Sequence, residues 1–379
     1  MKVTVSVGGT FHAFRLAEQL ERRGLLQRLV TTHRPLRGEQ IPNERLVANI
    51  VPEILMRGPR RLGLRWEIGD YLKAVSFDRW AVRHVRDCDL LVGFALFSLL
   101  SSRAARASGA HTVLERGSTH ILTQQALLAE EHQRWGAEAP PVDRRLLARQ
   151  LAEYEEAEYI AVPSRFVLES FLAHGFPRER IVHVPYGVHL DQFTAGATPG
   201  RPFRIVAVGL SLRKGTPYLL DAVARLNVPD VELWLVGAVP AGQRAMLDRA
   251  RVPFRHLGGL SQAELARVYR DASVFVLPSV EEGLALVILE AMASGLPVVV
   301  TPNTGAEDIV THGREGLIVP ARDVGALAAA LLELYEDEPR RRAMGEAAAR
   351  TAASWSWDVY GDRIAAAYAR IVTPGAAPA

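Results

Sequence analysis

The chain of 379 residues holds a single cysteine, Cys88. That excludes an internal disulfide and a zinc site built from thiolates, and it suits a reducing compartment. Long apolar runs are also missing, since LLVGFALFSLL at 90–100 falls well short of the roughly 20 residues that span a bilayer. The opening stretch MKVTVSVGG reads as an alternating strand pattern rather than a secretory leader, so the cytoplasm is the expected location. Two phosphate-binding signatures are lacking as well. The first glycine loop reads GGTFHA rather than GxGxxG, which disfavours a dinucleotide oxidoreductase. VGLSLRKGT at 208–216 has KGT where a P-loop needs GK followed by Ser or Thr. No recognised nucleic-acid module is present, so nucleic acid is not an expected partner.

What the chain has is ordinary globular material, with 49% hydrophobic and 23% charged residues, far from the signature of disorder. Its length favours two domains over one. Short β-branched runs alternate with longer helical patterns, the mark of βαβ units and parallel sheets, so the fold class is α/β. The first series runs KVTVSV, LLVGF, HTVLE, YIAVP and RIVHVP; the second runs RIVAVG, VELWLVG, FRHLG, VFVLP and PVVVT. Between them, YGVHLDQFTAGATPGRP is rich in Gly, Pro and Thr and lacks periodicity, which places a domain boundary near 187–202. The expected division is 1–187 and 188–356, with a final amphipathic helix at 357–371 returning to the first domain and a frayed TPGAAPA tail. Two doubly wound domains would then face each other across a cleft.

Charge is unevenly placed. The net value is +3, yet residues 1–86 carry 16 Lys/Arg against 8 Asp/Glu. The stretch MRGPRRLGLRW at 56–66 sets Arg57, Arg60, Arg61 and Arg65 beside Trp66, a composition that fits an anionic membrane surface or an anionic acceptor. A solvated arginine-rich loop is the plain alternative.

Ligands of open parallel sheets bind beyond the carboxyl ends of the strands. Gly8 and Gly9 leave the first strand there, and Arg213 and Lys214 leave the strand RIVAVG. Two cations at a helix start, beside unpaired backbone N–H groups, would form a diphosphate site. The strand VFVLP leads into SVEEGLAL and the helix VILEAMASG, placing Glu282 in a loop and Glu290 in the first turns of a helix. Gly283 lets the backbone pass close to a ligand, and the N–H groups of Leu284, Ala285 and Leu286 could meet phosphate oxygens. A carboxylate is a good bidentate acceptor for vicinal hydroxyls. Asp87-Cys88-Asp89 matches a metal-binding DxD pattern, but it precedes a strand and so lies at the wrong edge of the sheet, and no metal is expected.

The segment EEGLALVILEAMASGLPVVVT resembles the Glu-x7-Glu motif of retaining glycosyltransferases of the GT-B fold, family 4. The resemblance extends to VPSRFVLESFLAHGFPRERIVHVPYGV, VGLSLRKGTPYLLDAV, LGGLSQAELARVYRDASVFVLPS and NTGAEDIVTHGREGLIVPARDVGALAAAL, in order along nearly the whole chain. It implies a GT-B protein of two Rossmann-like domains. Such a protein moves a sugar from a UDP- or GDP-linked donor to a glycan, lipid-linked or small-molecule acceptor with retention, and needs no metal or other cofactor. It implies that Glu290 holds the donor ribose, and that Glu282 with residues 283–286 engages sugar and diphosphate. Arg213 and Lys214 would neutralise the leaving group, Leu257 and Gly258 would meet the base, and Gly8 and Gly9 would approach the phosphates. Leu210 stands where many members carry arginine, which leaves Arg213 to substitute, and His189 stands where aspartate is usual. A cleft histidine is expected in ERGSTH, at His120, with Glu115 and Arg116 as rival polar groups. A nucleotide-sugar epimerase of similar fold and a non-catalytic sugar-nucleotide binder remain alternatives.

Overall fold

The computed structural model describes residues 1–34, 40–61, 66–139, 142–196, 200–248 and 250–373. Valine-rich runs buried on both faces favour parallel strands covered by helices, and two such sheets form. In the first, β1 (Val3–Val7), β2 (Leu26–Thr31), β3 (Leu46–Ala48), β4 (Leu90–Phe94), β5 (His111–Glu115), β6 (Tyr159–Val162) and β7 (Ile181–His183) lie in the order β3-β2-β1-β4-β5-β6-β7. In the second, β8 (Phe203–Val208), β9 (Val231–Val236), β10 (Arg255–Gly258), β11 (Val274–Leu277), β12 (Val298–Val300) and β13 (Gly316–Ile318) lie in the order β10-β9-β8-β11-β12-β13. Every pairing is parallel.

Strand order reverses at β1/β4 in one sheet and at β8/β11 in the other, and crevices for ligands open at such switch points. Gly8 and Gly9 follow β1, Gly209 follows β8, and the 279–285 loop follows β11. The core behind these ends is continuous: Val5, Val7 and Val92 of the first sheet and Phe275, Leu277 and Val300 of the second belong to one buried cluster.

The helix Trp357–Val372 packs on the helix Ala13–Arg22 of the first half. Arg22 donates to Asp358, Arg23 donates to Asp362, and Val188 bridges Ser356. Pro339 occupies the first turn of the helix Glu338–Ala352, where its missing N–H costs nothing. The arginine-rich stretch contrasts with a loop, because Val51–Arg61 is helical. Arg65 and the 374–379 tail lie outside the described residues, as do the side chains of Arg60, Arg61 and Trp66. Among the described residues, no helix is long and apolar enough to cross a membrane.

Candidate active site

Four charged side chains meet at the β8/β11 switch point. Arg213 Nε donates to Glu281 Oε2 at 2.8 Å and to the Glu281 carbonyl at 2.9 Å. Arg213 also lies 3.6 Å from Glu282, and Lys214 Nζ lies 2.7 Å from Glu282 Oε1. The two carboxylates are buried while both cations keep partial exposure. The quartet is therefore formally neutral as a unit, with its positive members the more exposed. Burial alone would raise the Glu281 carboxyl, but Arg213 and hydrogen bonds from Gln124 and Thr119 hold it below the usual range. Burial likewise opposes charge on Arg213, and the two glutamates overcome it.

Glu281 is the residue that sequence reasoning passed over. It accepts from Thr119 N at 3.1 Å, Thr119 Oγ1 at 2.8 Å and Gln124 Nε2 at 3.1 Å, all from the first half. It thus ties the halves together through a fully buried carboxylate, a partner set that costs several kcal/mol to break. A neighbouring tie runs from Ser164 Oγ to the Gly283 carbonyl at 2.6 Å, and the same hydroxyl caps the helix Arg165–Leu172. Gly283 has to be glycine here.

The expected backbone anion nest is a correction. Ahead of the helix Thr216–Leu226, Lys214 N donates to Ser211 Oγ, Gly215 N to Leu212 O, Thr216 N to Ser211 O and Leu212 N to Gln243. Pro217 has no N–H to give. The loop closes on itself, with Gly215 at φ +70 beside the Pro278 carbonyl, so the cations rather than the backbone carry the positive charge. Ala285 N is also engaged, by Thr304 O at 3.2 Å, which takes it from the expected phosphate contacts. Leu284 is buried, and Leu286 begins the helix Leu286–Ala293.

Glu290 lies on that helix. Burial pushes its carboxyl up to about 7, against a lowering hydrogen bond from the buried Tyr269. Leu257 and Gly258 end β10 half-buried, and the Gly258 carbonyl accepts from Gly237 N at 2.7 Å.

Across the cleft, a cavity of about 240 Å³ is lined by Phe11, His12, Phe94, Glu115, Arg116 and Gly117, among others. A Cβ on Gly8 would stand 2.2 Å from the ring of Phe97, which lines it, and one on Gly9 would meet Phe11 at 2.9 Å. His12 starts the helix Ala13–Arg22, its ring between Tyr186 and Phe94 and its Nε2 3.2 Å from Glu115 Oε2. Tyr368, from the last helix, donates to the other oxygen of Glu115. Arg116 donates to the Thr119 carbonyl and Gln124, fixing the loop above.

His120 does not face this cavity, a second correction. Its ring stacks on His174 at 4.0 Å and packs against Tyr154 and Phe171, while Nδ1 accepts from Leu122 N and caps the helix Ile121–Arg134. Burial, then His174 and Arg116, lower its pKa to about 4. The histidine within the cleft is His12. Its signal was available: it follows the glycine loop by three positions, at the start of the first helix.

Asp87 and Asp89 lie before β4, at the edge opposite the cleft, where Asp89 accepts from Lys2 N and Asp87 lies 3.8 Å from Arg28. His189 lies 3.7 Å from Asp191 beside Trp357.

Comparison with known proteins matches two family models along the chain. A family model described as Glycosyltransferase Family 4 matches residues 7–192, and one described as Glycosyl transferases group 1 matches residues 202–337. The chain is 30% identical over 234 residues to a GDP-mannose-dependent monoacylated alpha-(1-6)-phosphatidylinositol monomannoside mannosyltransferase of Corynebacterium glutamicum, covering 55% of this chain and 61% of that protein. It is 31% identical over 251 residues to a D-inositol 3-phosphate glycosyltransferase of Corynebacterium urealyticum, covering 59% and 58%. The chain thus spans less than two thirds of these curated relatives. Among solved structures, a sucrose-phosphate synthase from Thermosynechococcus elongatus superposes with a TM-score of 0.75 at 21% identity, covering 97% of this chain and 98% of that one. Anabaena HepE in complex with UDP-glucose gives 0.70 at 16%, covering 97% and 99%.

Proposed function

We propose, from the premise that this chain belongs to the family 4 glycosyltransferases of GT-B fold, that it transfers a sugar from a nucleoside diphosphate donor to an acceptor hydroxyl with retention. The observation that carries this is the Arg213–Lys214–Glu281–Glu282 quartet at one switch point, tied through Thr119 to the half that holds the His12–Glu115 cavity at the other. Departure of a nucleoside diphosphate builds negative charge, and stabilising that charge is the chief electrostatic task. Lys214 and Arg213 meet the diphosphate as they turn from their glutamates. Glu282, released from Lys214, becomes an acceptor for sugar hydroxyls. The Glu290 carboxylate accepts the vicinal hydroxyls of the ribose, the base lies over Leu257 and Gly258, and the uracil or guanine choice is made there. His12 and Glu115 orient the acceptor hydroxyl from the opposite side. These side-chain cations supply the neutralisation, so the reaction needs no divalent metal.

The relatives named for phosphatidylinositol mannosides support a lipid-linked or polyol acceptor. A peripheral membrane contact is the matching reading for the first half. Ile50, Val51 and Ile54 are 65%, 51% and 59% exposed at the start of the helix that carries the exposed Arg57, an apolar edge beside positive charge.

Thermal unfolding against a panel of nucleotide sugars tests donor binding. The correct donor at 100 times its Kd stabilises by roughly 2.7 kcal/mol, and a panel without any stabilising member contradicts the assignment.

A further inference from the structure

One cavity of the first half is lined by none of the residues proposed to hold the donor. It measures about 350 Å³ and opens between the helices Ile121–Arg134 and Arg144–Glu156, walled by Leu96, Ile121, Leu128, Val142, Leu146 and Leu147, among others. It adjoins the cleft cavity, since Leu96 and Gln150 line both. We propose that this groove binds the linear alkyl or acyl chain of the acceptor, whose hydroxyl-bearing head lies in the cleft cavity beside His12. The head's role rests on the glycosyltransferase reading above, and the chain's does not.

Three observations support the groove as a built site. First, Leu128, Val142 and Leu147 belong to none of the packed hydrophobic clusters among the described residues, although Leu128 and Leu147 are half-buried. Their apolar surface faces the groove rather than a core, and apolar surface gains by being covered.

Second, Leu96 at the junction has φ +84, a conformation costly for a side chain with a Cβ and commonest at functional sites. It is held there by buried neighbours: its N–H donates to Glu153, and its carbonyl accepts from Arg149 Nε at 2.8 Å. Glu153 also accepts from Ser98 N at 2.8 Å. This clamp fixes the backbone so that the leucine forms a wall of both cavities.

Third, Gln150 Oε1, at the same junction, is buried with no hydrogen-bond partner. An unpaired buried acceptor is costly, and a hydroxyl at the head of an amphipathic acceptor would satisfy it. The order from one cavity to the next is therefore apolar groove, one polar acceptor at the shared wall, then the His12–Glu115 pair. A ligand with a chain at one end and hydroxyls at the other matches that order.

The test is calorimetric binding of n-alkyl glucosides, hexyl to dodecyl, each below its critical micelle concentration, to the full chain. Each buried methylene contributes about 0.8 kcal/mol, so Kd falls about fourfold per carbon at 1.4 kcal/mol per tenfold, then levels once the groove is full. Leu128→Gln and Leu147→Gln, on different helices, flatten that series while thermal stabilisation by the donor stays at the wild-type level, which also certifies the fold. A Kd independent of chain length overturns the proposal. So does a length dependence that neither variant changes, or one that never levels, which is surface association. If no nucleotide sugar stabilises the protein while the levelling series persists, the glycosyltransferase reading falls and the groove stands.

Discussion

Gly283 and Gly117 touch across the cleft: a Cβ on Gly283 would lie 1.8 Å from the Gly117 carbonyl oxygen. The contact joins the loop after β11 to the loop after β5, directly beside the buried Glu281 and its partners Thr119 and Gln124. Backbone on both sides leaves nothing flexible to move aside, so any side chain at 283 pushes the two strand ends apart.

Gly283→Ala is therefore expected to reduce kcat/KM by at least tenfold, about 1.4 kcal/mol of lost transition-state binding, while far-ultraviolet circular dichroism stays unchanged. Turnover at the wild-type level in this variant would show that the observed closeness of the halves is not the working arrangement.

Donor affinity is expected to depend on pH through Glu290. Its carboxyl titrates near 7, being neutral below and ionised above, and recognition of a vicinal diol uses the ionised form. Kd for the donor should thus fall as pH rises through 7, and Glu290→Gln should bind more weakly at high pH and lose the slope. Titration calorimetry at several pH values checks both, and a wild-type affinity that strengthens on acidification contradicts the role.

His120 is expected to affect stability rather than chemistry. Its pKa falls from 6.5 to about 4 on folding, so the unfolded chain binds the extra proton between those values. The stability it contributes is present above pH 6.5 and is lost as pH falls toward 4, up to about 3 kcal/mol for such a shift. His120→Asn keeps a capping side chain and removes the titration, so denaturation midpoints should become flatter over that range while kcat is retained. A large loss of kcat at wild-type stability would return His120 to the active site.

Vesicle co-sedimentation checks the membrane reading. Binding to anionic vesicles should be clear at low salt and fade as added salt screens contacts beyond roughly 8 Å. Ile54→Asp and Arg57→Gln should each weaken it, and indifference of the wild-type protein to anionic vesicles at low salt removes the membrane contact from the account.

The strands were legible where both faces are buried, as in VTVSV of β1 and VFVL of β11, because continuous β-branched runs need no tertiary information to be recognised. The three-residue β3 and β13 lacked that signal. Arg213, Lys214, Glu282 and Glu290 could be placed from their positions after strands. Glu281 could not, since its partners Thr119 and Gln124 lie more than 150 residues away and become neighbours only when the sheets face each other. The exchange of His120 for His12 has the same cause. Position along ERGSTH does not say which way a helix-capping ring turns, whereas pairing of His12 with Glu115 needs the order β1-β4-β5. The loop before Thr216 failed as a nest because Ser211, close by, and Gln243, 31 residues on, accept its N–H groups, a hydrogen-bond count that spacing alone does not reveal.

The central claim is transfer of a sugar from a nucleoside diphosphate, with Lys214 and Arg213 stabilising the leaving group. Its most direct measurement is steady-state nucleoside diphosphate release from the stabilising donor, with and without an alkyl glycoside acceptor, for wild type and Lys214→Ala. Product anomeric configuration is read by proton NMR. The account predicts acceptor-dependent release that persists in EDTA and a product with the donor's anomeric configuration. It also predicts a kcat/KM lowered by about one to two orders of magnitude in the variant, as expected for loss of a charged hydrogen bond worth roughly 1.5 to 3 kcal/mol. Acceptor-independent release, inversion at the anomeric carbon, activity that needs added manganese, or unchanged kinetics in Lys214→Ala would contradict it.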